Sequence, residues 1–240
     1  MKRILALAFL LALIGLVVPA PAADKEDQAS AKEALKELQE YIGSWKGNGG
    51  PDKPRPGPRD PIWSETIGWS WRFKGDDAWL SMDVKNGKHV KSGELRFLPD
   101  KKLYQLTLTD TDDKKHVFQG QIRNEVLTLE RVDPATKETQ QIKMNSAAEG
   151  DRFVYRVAHR DAGSTIWKKD YMVGCTREGV SLGKADKKNE CVVSGGLGTM
   201  PISYKGETYY VCCSGCADAF KENPEKYIAE YKAKKAGKKK

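Results

Sequence analysis

The stretch Trp63-Ser-Glu-Thr-Ile-Gly-Trp-Ser-Trp-Arg-Phe73 alternates large apolar residues with small or polar ones. Alternation with a period of two is typical of a β-strand with one buried face, because successive side chains point to opposite sides of a sheet. The apolar members of the pattern are Trp63, Ile67, Trp69, Trp71 and Phe73. We therefore predict a long strand here, in a protein built mainly from strands.

Short segments of similar character follow and precede this strand, separated by turn signals such as Lys85-Asn-Gly-Lys88 and Asp161-Ala-Gly163. Further strands are predicted over residues 44–47, 79–84, 93–98, 103–109, 116–122, 126–131, 139–144, 152–159 and 164–173. No helical pattern lies between them. About ten short antiparallel strands joined by tight turns predict a closed barrel, because closure removes exposed sheet edges.

A short amphipathic helix is predicted over residues 28–42, where apolar residues such as Leu35 and Leu38 recur at helical spacing. It leads into Tyr41-Ile-Gly-Ser-Trp45-Lys-Gly47-Asn-Gly49, which resembles the start of the calycin barrels, where a Gly-x-Trp motif begins the first strand. The resemblance implies a lipocalin-like barrel over residues 28–178. The opening is also similar to that of nitrobindin-like haem barrels, but their iron-binding histidine has no counterpart in residues 166–175.

A barrel of this size has room for a small apolar ligand. Six aromatic residues are candidates for lining such a cavity: Trp69, Trp71, Trp79, Phe97, Phe118 and Trp167. The alternative is that they fill the core, since tryptophans at alternating strand positions more often serve packing.

Four cysteines lie close together near the end of the chain: Cys191, and three in the run Tyr-Tyr-Val-Cys212-Cys213-Ser-Gly-Cys216. A hairpin predicted over residues 200–211 brings Cys212 to the start of a predicted helix, whose first turn contains Cys216. The helix dipole there favours a thiolate, the form that binds metal. We expect Cys191, Cys212 and Cys216 to bind a metal ion, with Cys213 as the candidate for a fourth ligand.

Residues 191–231 resemble a YHS domain of the wider TRASH group of small cysteine modules. The resemblance lies in the cysteine run, in Phe220 and in Asn223-Pro-Glu-Lys-Tyr227. It implies heavy-metal binding, sensing or trafficking on a small α+β, treble-clef-like scaffold. Ser194 stands where such modules often have a further cysteine. Copper and zinc both suit sulfur ligands. The alternative is that disulfides, with Cys191 bridged to Cys212 or Cys213, brace a small exported module.

The N-terminus predicts export. Lys2 and Arg3 precede an apolar run over residues 4–18 and a series of small residues, a pattern typical of a signal peptide over residues 1–23, cleaved near Ala22 or Ala23. No later stretch is apolar enough to cross a membrane. We therefore expect the protein to be periplasmic or secreted.

The net charge of +8 does not indicate a nucleic-acid-binding groove. Six lysines lie in a basic tail over residues 232–240, and signal cleavage would remove two more basic residues. The remaining 33 basic residues balance 33 acidic ones. The basicity therefore belongs to the tail, and we predict no nucleic-acid partner.

Catalytic motifs such as Gly-x-Ser-x-Gly and His-Glu-x-x-His are absent from the sequence, which predicts a protein that is not an enzyme. Cys213-Ser-Gly-Cys216 leaves cysteine redox activity as a minor alternative. Residues 179–190 are a predicted linker, and Cys175 stands apart at the end of the barrel. The hypothesis is an exported protein that captures or passes copper or zinc. The alternative is a lipocalin-like carrier of a small apolar ligand with a disulfide-braced appendage.

Overall fold

The computed structural model describes residues 25–55, 57–75, 77–179 and 189–237. The predicted signal peptide lies outside these residues, as do most of the predicted linker and the last three lysines. Within the described part of the chain, every helix is too short or too polar to span a bilayer.

Ten antiparallel strands form a closed barrel in which each strand pairs with its sequence neighbours and the last pairs with the first. The strands are β1 (Gly43–Pro51), β2 (Trp63–Lys74), β3 (Asp77–Lys85), β4 (Val90–Leu98), β5 (Leu103–Asp110), β6 (Lys115–Arg123), β7 (Val126–Val132), β8 (Thr139–Ala147), β9 (Arg152–Arg160) and β10 (Lys168–Arg177). Buried and less buried side chains alternate regularly along β2, and Ile67, Trp69 and Trp71 lie in the core. The predicted closed barrel is confirmed.

One end of the barrel is covered by the N-terminal helix α1 (Lys25–Lys36) and a 3-10 turn at Gln39–Tyr41. The predicted helix thus ends at Lys36, and the chain continues as a tight turn. Leu35 and Leu38 are buried against the barrel. The Tyr104 hydroxyl donates to the carbonyl of Ala34 at 2.9 Å, which ties the end of α1 to β5.

The Gly-x-Trp segment closes the same end. Trp45 is fully buried, its indole N–H donates to the Tyr41 carbonyl at 2.8 Å, and the Arg177 guanidinium lies 4.2 Å from the centre of its ring. The guanidinium donates to three backbone carbonyls, those of Glu40, Ile42 and Gly150. Arg177 therefore joins the closing strand, the 3-10 turn and the β8–β9 connection.

The closing strand begins later than the predicted residues 164–173. Ser164 closes a turn by donating its backbone N–H to Asp161, and the Ile166 side chain is 72% exposed. β10 begins at Lys168, in a register with β1 that pairs Trp45 with Arg177. Pairing across the barrel seam determines this strand, and local residue preferences do not reveal it.

The cysteine module follows the barrel. Its hairpin consists of β13 (Met200–Tyr204) and β14 (Glu207–Val211), as predicted, and a second small sheet pairs β11 (Asn189–Glu190) with β12 (Leu197–Gly198). Two helices follow, α2 (Ser214–Glu222) and α3 (Pro224–Gly237). α3 continues into the predicted basic tail. α2 packs against β2, so the module rests directly on the barrel.

Candidate metal centre

Three cysteines from separate elements meet in the module. Cys191 follows β11, Cys212 follows β14, and Cys216 lies in the first turn of α2. Their sulfur atoms all lie within 4.8 Å of one another, and all three residues are buried. The Sγ atoms of Cys212 and Cys216 are 3.5 Å apart. The structure thus brings together the three cysteines that the sequence singled out as first-choice ligands.

These separations fit shared ligation of one ion. A Zn–S bond is about 2.3 Å long, so two sulfurs at the corners of a tetrahedron around zinc are about 3.8 Å apart. A disulfide bond is about 2.05 Å long. All five cysteines are free thiols in the structure, and the spacing within the cluster is that of a ligand set.

Cys213 stands next to this set. Its sulfur lies 3.9 Å from that of Cys212 and accepts the backbone N–H of Trp71 at 3.4 Å. Cys213 occupies the residue before α2 with an extended backbone, which directs its side chain toward strand β2 of the barrel. Its sulfur thus lies beside Cys212 and contacts the barrel, but it does not belong to the set of sulfurs that all lie within 4.8 Å of one another.

Polar groups outside the four cysteines also contact the sulfurs. The Ser194 backbone N–H donates to the Cys191 sulfur at 3.5 Å, and its hydroxyl lies 3.4 Å from the Cys212 sulfur. The Gln39 amide donates to the same Cys212 sulfur at 3.9 Å and accepts the Trp71 indole N–H at 3.0 Å. Partners of this kind orient metal ligands.

Gln39 and Trp71 were not among the predicted metal-site residues. Trp71 approaches the cluster because α2 packs on β2, and Gln39 approaches it from the 3-10 turn that covers the barrel end. These are contacts between distant segments, for which the sequence carries no local signal. Ser194 was noted only as a missing cysteine. The structure shows that its hydroxyl and backbone N–H both contact the site.

Hydrogen bonds among the four clustered thiols shift their pKa values in opposite directions. Donation from Cys212 and Cys216 lowers the pKa of Cys191 to about 2. The same two donors, with backbone N–H groups, lower the pKa of Cys213 to about 3. The pKa values of Cys212 and Cys216 are raised in turn, because their protons are held between sulfurs. An arriving metal ion must displace the protons that remain.

Cys175 lies apart from this cluster, on β10. It is buried in the barrel, and burial, with a smaller effect of Glu65, raises the pKa of its thiol to about 12. A protonated, buried thiol is inert.

The six aromatic residues that were candidates for lining a ligand cavity lie at separate positions in the barrel. Trp69 and Trp71 are fully buried in the core, and Phe97 packs edge-on against Tyr104. Trp79 alternates with the buried residues of β3 and stacks on Arg96, while Trp167 stacks on Arg160. Phe118 lines a cavity at the barrel mouth.

The fold and the site together define a two-part protein, a closed β-barrel carrying a small thiol module. Residues 200–231 match the YHS domain family. The match covers the hairpin, Cys212, Cys213 and Cys216, whereas Cys191 reaches the cluster from outside the matched segment.

Thirteen chains of solved structures are similar to this one, and two of them illustrate the similarity. The crystal structure of Rv2717c from M. tuberculosis is 17% identical, with a TM-score of 0.38, and the similarity covers 60% of this chain and 97% of that one. The S-type phycobiliprotein lyase CPES from Guillardia theta is 11% identical, with a TM-score of 0.36, covering 67% and 100%. No curated protein sequence matches the chain.

Proposed function

We propose that the protein captures a soft metal ion, copper(I) or zinc, through Cys191, Cys212 and Cys216, and passes it on without catalysing a reaction. The convergence of three buried sulfurs within 4.8 Å of one another carries the proposal. The YHS match supports it, since this family resemblance implies heavy-metal binding. Thiolates are the ligands that copper(I) and zinc accept in preference to hard cations such as magnesium.

A role in metal transfer is supported by the presence of a fourth sulfur atom beside the three proposed ligands. Cys213 lies 3.9 Å from Cys212, so a metal ion bound by three sulfurs has another within reach. An ion can then enter or leave by exchanging one ligand at a time. The polar contacts of Ser194 and Gln39 hold the remaining sulfurs in place during the exchange.

The proposed place of action is the cell envelope, or outside the cell. This part of the proposal is based on the signal-peptide pattern over residues 1–23. N-terminal sequencing of protein recovered from the periplasm or the medium tests it. The proposal predicts a mature chain that begins just after Ala22 or Ala23, and an intact Met1 in the mature protein would contradict it.

The ligand assignment is tested by comparing Cys216→Ser with Cys175→Ser, which removes a thiol that lies outside the cluster. Reduced protein should bind one Cu(I) or Zn(II) per chain in competition with a chromogenic chelator. Loss of an orienting partner alone costs 10–100-fold in affinity, so Cys216→Ser should weaken binding by about a hundredfold or more. Cys175→Ser should bind as the wild type does.

Equal affinity in the two variants would remove Cys216 from the site. The disulfide alternative is tested on the same samples by alkylation and mass spectrometry after purification without reductant. The proposal predicts that all four clustered cysteines are alkylated once a chelator has removed the metal. Cystine in the cluster would contradict it.

A further inference from the structure

The barrel end away from the thiol module contains all three histidines of the protein. His89 lies between β3 and β4, His116 on β6 and His159 on β9, and all three line one cavity of about 410 Å³ at the barrel mouth. The register of the strands around the barrel directs them to a common opening.

Carboxylates accompany the histidines. Asp110, Glu138 and Asp170 also line the mouth cavity. His116 is hydrogen-bonded to Asp110 at 2.8 Å, and His159 to Asp170 at 2.7 Å. Among the described residues, neither a lysine nor an arginine lines this cavity. The three carboxylates contribute negative charge to the mouth, although the protein as a whole is basic.

The floor of the mouth is apolar. Val90, Leu108, Ile142 and Val157 line both the mouth and a narrower pocket of about 20 Å³ beneath it, and Tyr171 borders both as well. An apolar group can therefore rest on these side chains while a polar head remains among the carboxylates.

Aromatic rings form one wall of the mouth. The His89 ring stacks on Tyr171 with centroids 4.3 Å apart, and Trp63 meets the same imidazole edge-on at 5.2 Å. Lys88 lies over the Trp63 ring, and burial, followed by this lysine, lowers the pKa of His89. Aromatic faces attract cations, and the existing contact with Lys88 is an example at this rim.

A buried carboxyl group lies behind this wall. Glu65 is 4% exposed, and its two oxygens accept from the Tyr155 hydroxyl and the Trp63 indole N–H, both at 2.7 Å. Within the described part of the chain, no lysine, arginine or histidine forms an ion pair with it. Glu65 therefore holds Trp63 and Tyr155 in place behind the mouth.

We propose that the barrel mouth binds a small organic cation with an apolar body, such as an aromatic or aliphatic amine. The ammonium group lies among Asp110, Glu138 and Asp170, and the body rests on the apolar floor. The site is independent of the thiol cluster. Trp63 at the mouth and Trp71 at the cluster are eight residues apart on β2, which is about 26 Å along a strand.

The test uses three probes with the same naphthalene body: 1-naphthylmethylamine, 1-naphthylmethanol and 1-naphthoate. Calorimetric titration of the full-length protein at pH 8, where ordinary imidazoles are neutral, compares their affinities. The amine should bind about tenfold more tightly than the alcohol, and the carboxylate more weakly than either. Equal affinities, or preference for the carboxylate, would overturn the proposal.

The variant Glu138→Gln/Asp170→Asn tests the carboxylates. Its affinity for the amine should fall about tenfold, with binding of the alcohol unchanged. The control Asp100→Asn removes the same kind of charge from the Pro99–Lys101 turn, at the other end of β4 from Val90, and should bind the amine normally. If the double variant no longer binds the alcohol either, the single variant Glu138→Gln is titrated in its place. Its affinity for the amine should fall while its affinity for the alcohol stays unchanged. An unchanged affinity for the amine would overturn the proposal.

Discussion

The Sγ atoms of Cys212 and Cys216 lie 3.5 Å apart because the secondary structure changes between these two residues. β14 ends at Val211 and α2 begins at Ser214, so Cys212 leaves a strand just before Cys216 enters a helical turn. Cys191 completes the set from a separate loop, where its backbone N–H donates to Gly196 at 2.6 Å. Three local conformations, each simple in itself, thus place three sulfurs around one point.

Cys213 should matter more for zinc than for copper(I). Zinc in sulfur sites is four-coordinate, whereas copper(I) is satisfied by three thiolates. Cys213→Ser should therefore weaken zinc binding by at least about tenfold and change copper(I) affinity less. Competition titrations with both metals measure this. An equal effect on the two would show that Cys213 does not act as the fourth ligand.

Cys175 should resist modification in the folded protein. Its pKa of about 12 keeps it protonated at pH 9, where an ordinary thiol is mostly ionised, and it is only 1% exposed. Iodoacetamide at pH 9 should leave Cys175 unmodified until denaturant is added, as mass spectrometry of its tryptic peptide would show. Rapid labelling in the native state would contradict the burial of this thiol.

The helix α2 lies unusually close to the strand β2. A Cβ atom added at Gly215 would lie 1.7 Å from the carbonyl oxygen of Trp71. Only glycine permits this approach, which also brings the Cys213 sulfur to the Trp71 N–H. The contact between module and barrel therefore depends on the absence of a side chain at one position.

Gly215→Ala should disturb both stability and metal binding. Overpacking of this kind costs about 1–3 kcal/mol, so the free energy of unfolding in urea should fall by about that amount. Metal affinity should fall as well, because Cys216 directly follows the displaced residue and Cys213 lies two positions before it. Gly174→Ala is the control, since nothing lies within 4 Å of its added Cβ. Equal stability of the two variants would contradict the close packing of α2.

Local patterns predicted most elements correctly because the signals are themselves local. The alternation in β2 and the signals for the hairpin over residues 200–211 each act within a few residues. The closing strand was misplaced because β-branched and aromatic residues at 165–167 resemble a strand. Its true position depends on pairing with β1, more than a hundred residues away in sequence.

The sequence likewise predicted one part of the candidate sites and not the other. The cysteine ligands follow from spacing and family resemblance, both of which can be read along the chain. The contacts from Gln39 and Trp71, and the meeting of three histidines at the mouth, depend on how distant strands are aligned in the barrel. No motif records these alignments, so they required the structure.

The two ends of the protein differ in character. One end is closed by Trp45, Arg177 and the N-terminal helix and carries the thiol module, while the other opens into the histidine-lined mouth. The protein therefore presents two chemically distinct sites on one scaffold.

Arg177→Met should destabilise the whole barrel. It removes three hydrogen bonds to backbone carbonyls and the contact with Trp45, leaving buried acceptors without donors. The free energy of unfolding should fall by about 3 kcal/mol or more. Arg152→Met, at an exposed position, should change it by less than about 0.5 kcal/mol. Similar urea midpoints for the two variants would contradict this role of Arg177.

X-ray absorption spectroscopy of the metal-loaded protein tests sulfur ligation most directly. Zinc bound by Cys191, Cys212 and Cys216, with Cys213 as a fourth ligand, should show a shell of three or four sulfur atoms at about 2.3 Å. A first shell made only of nitrogen and oxygen atoms would contradict metal capture by the thiol cluster.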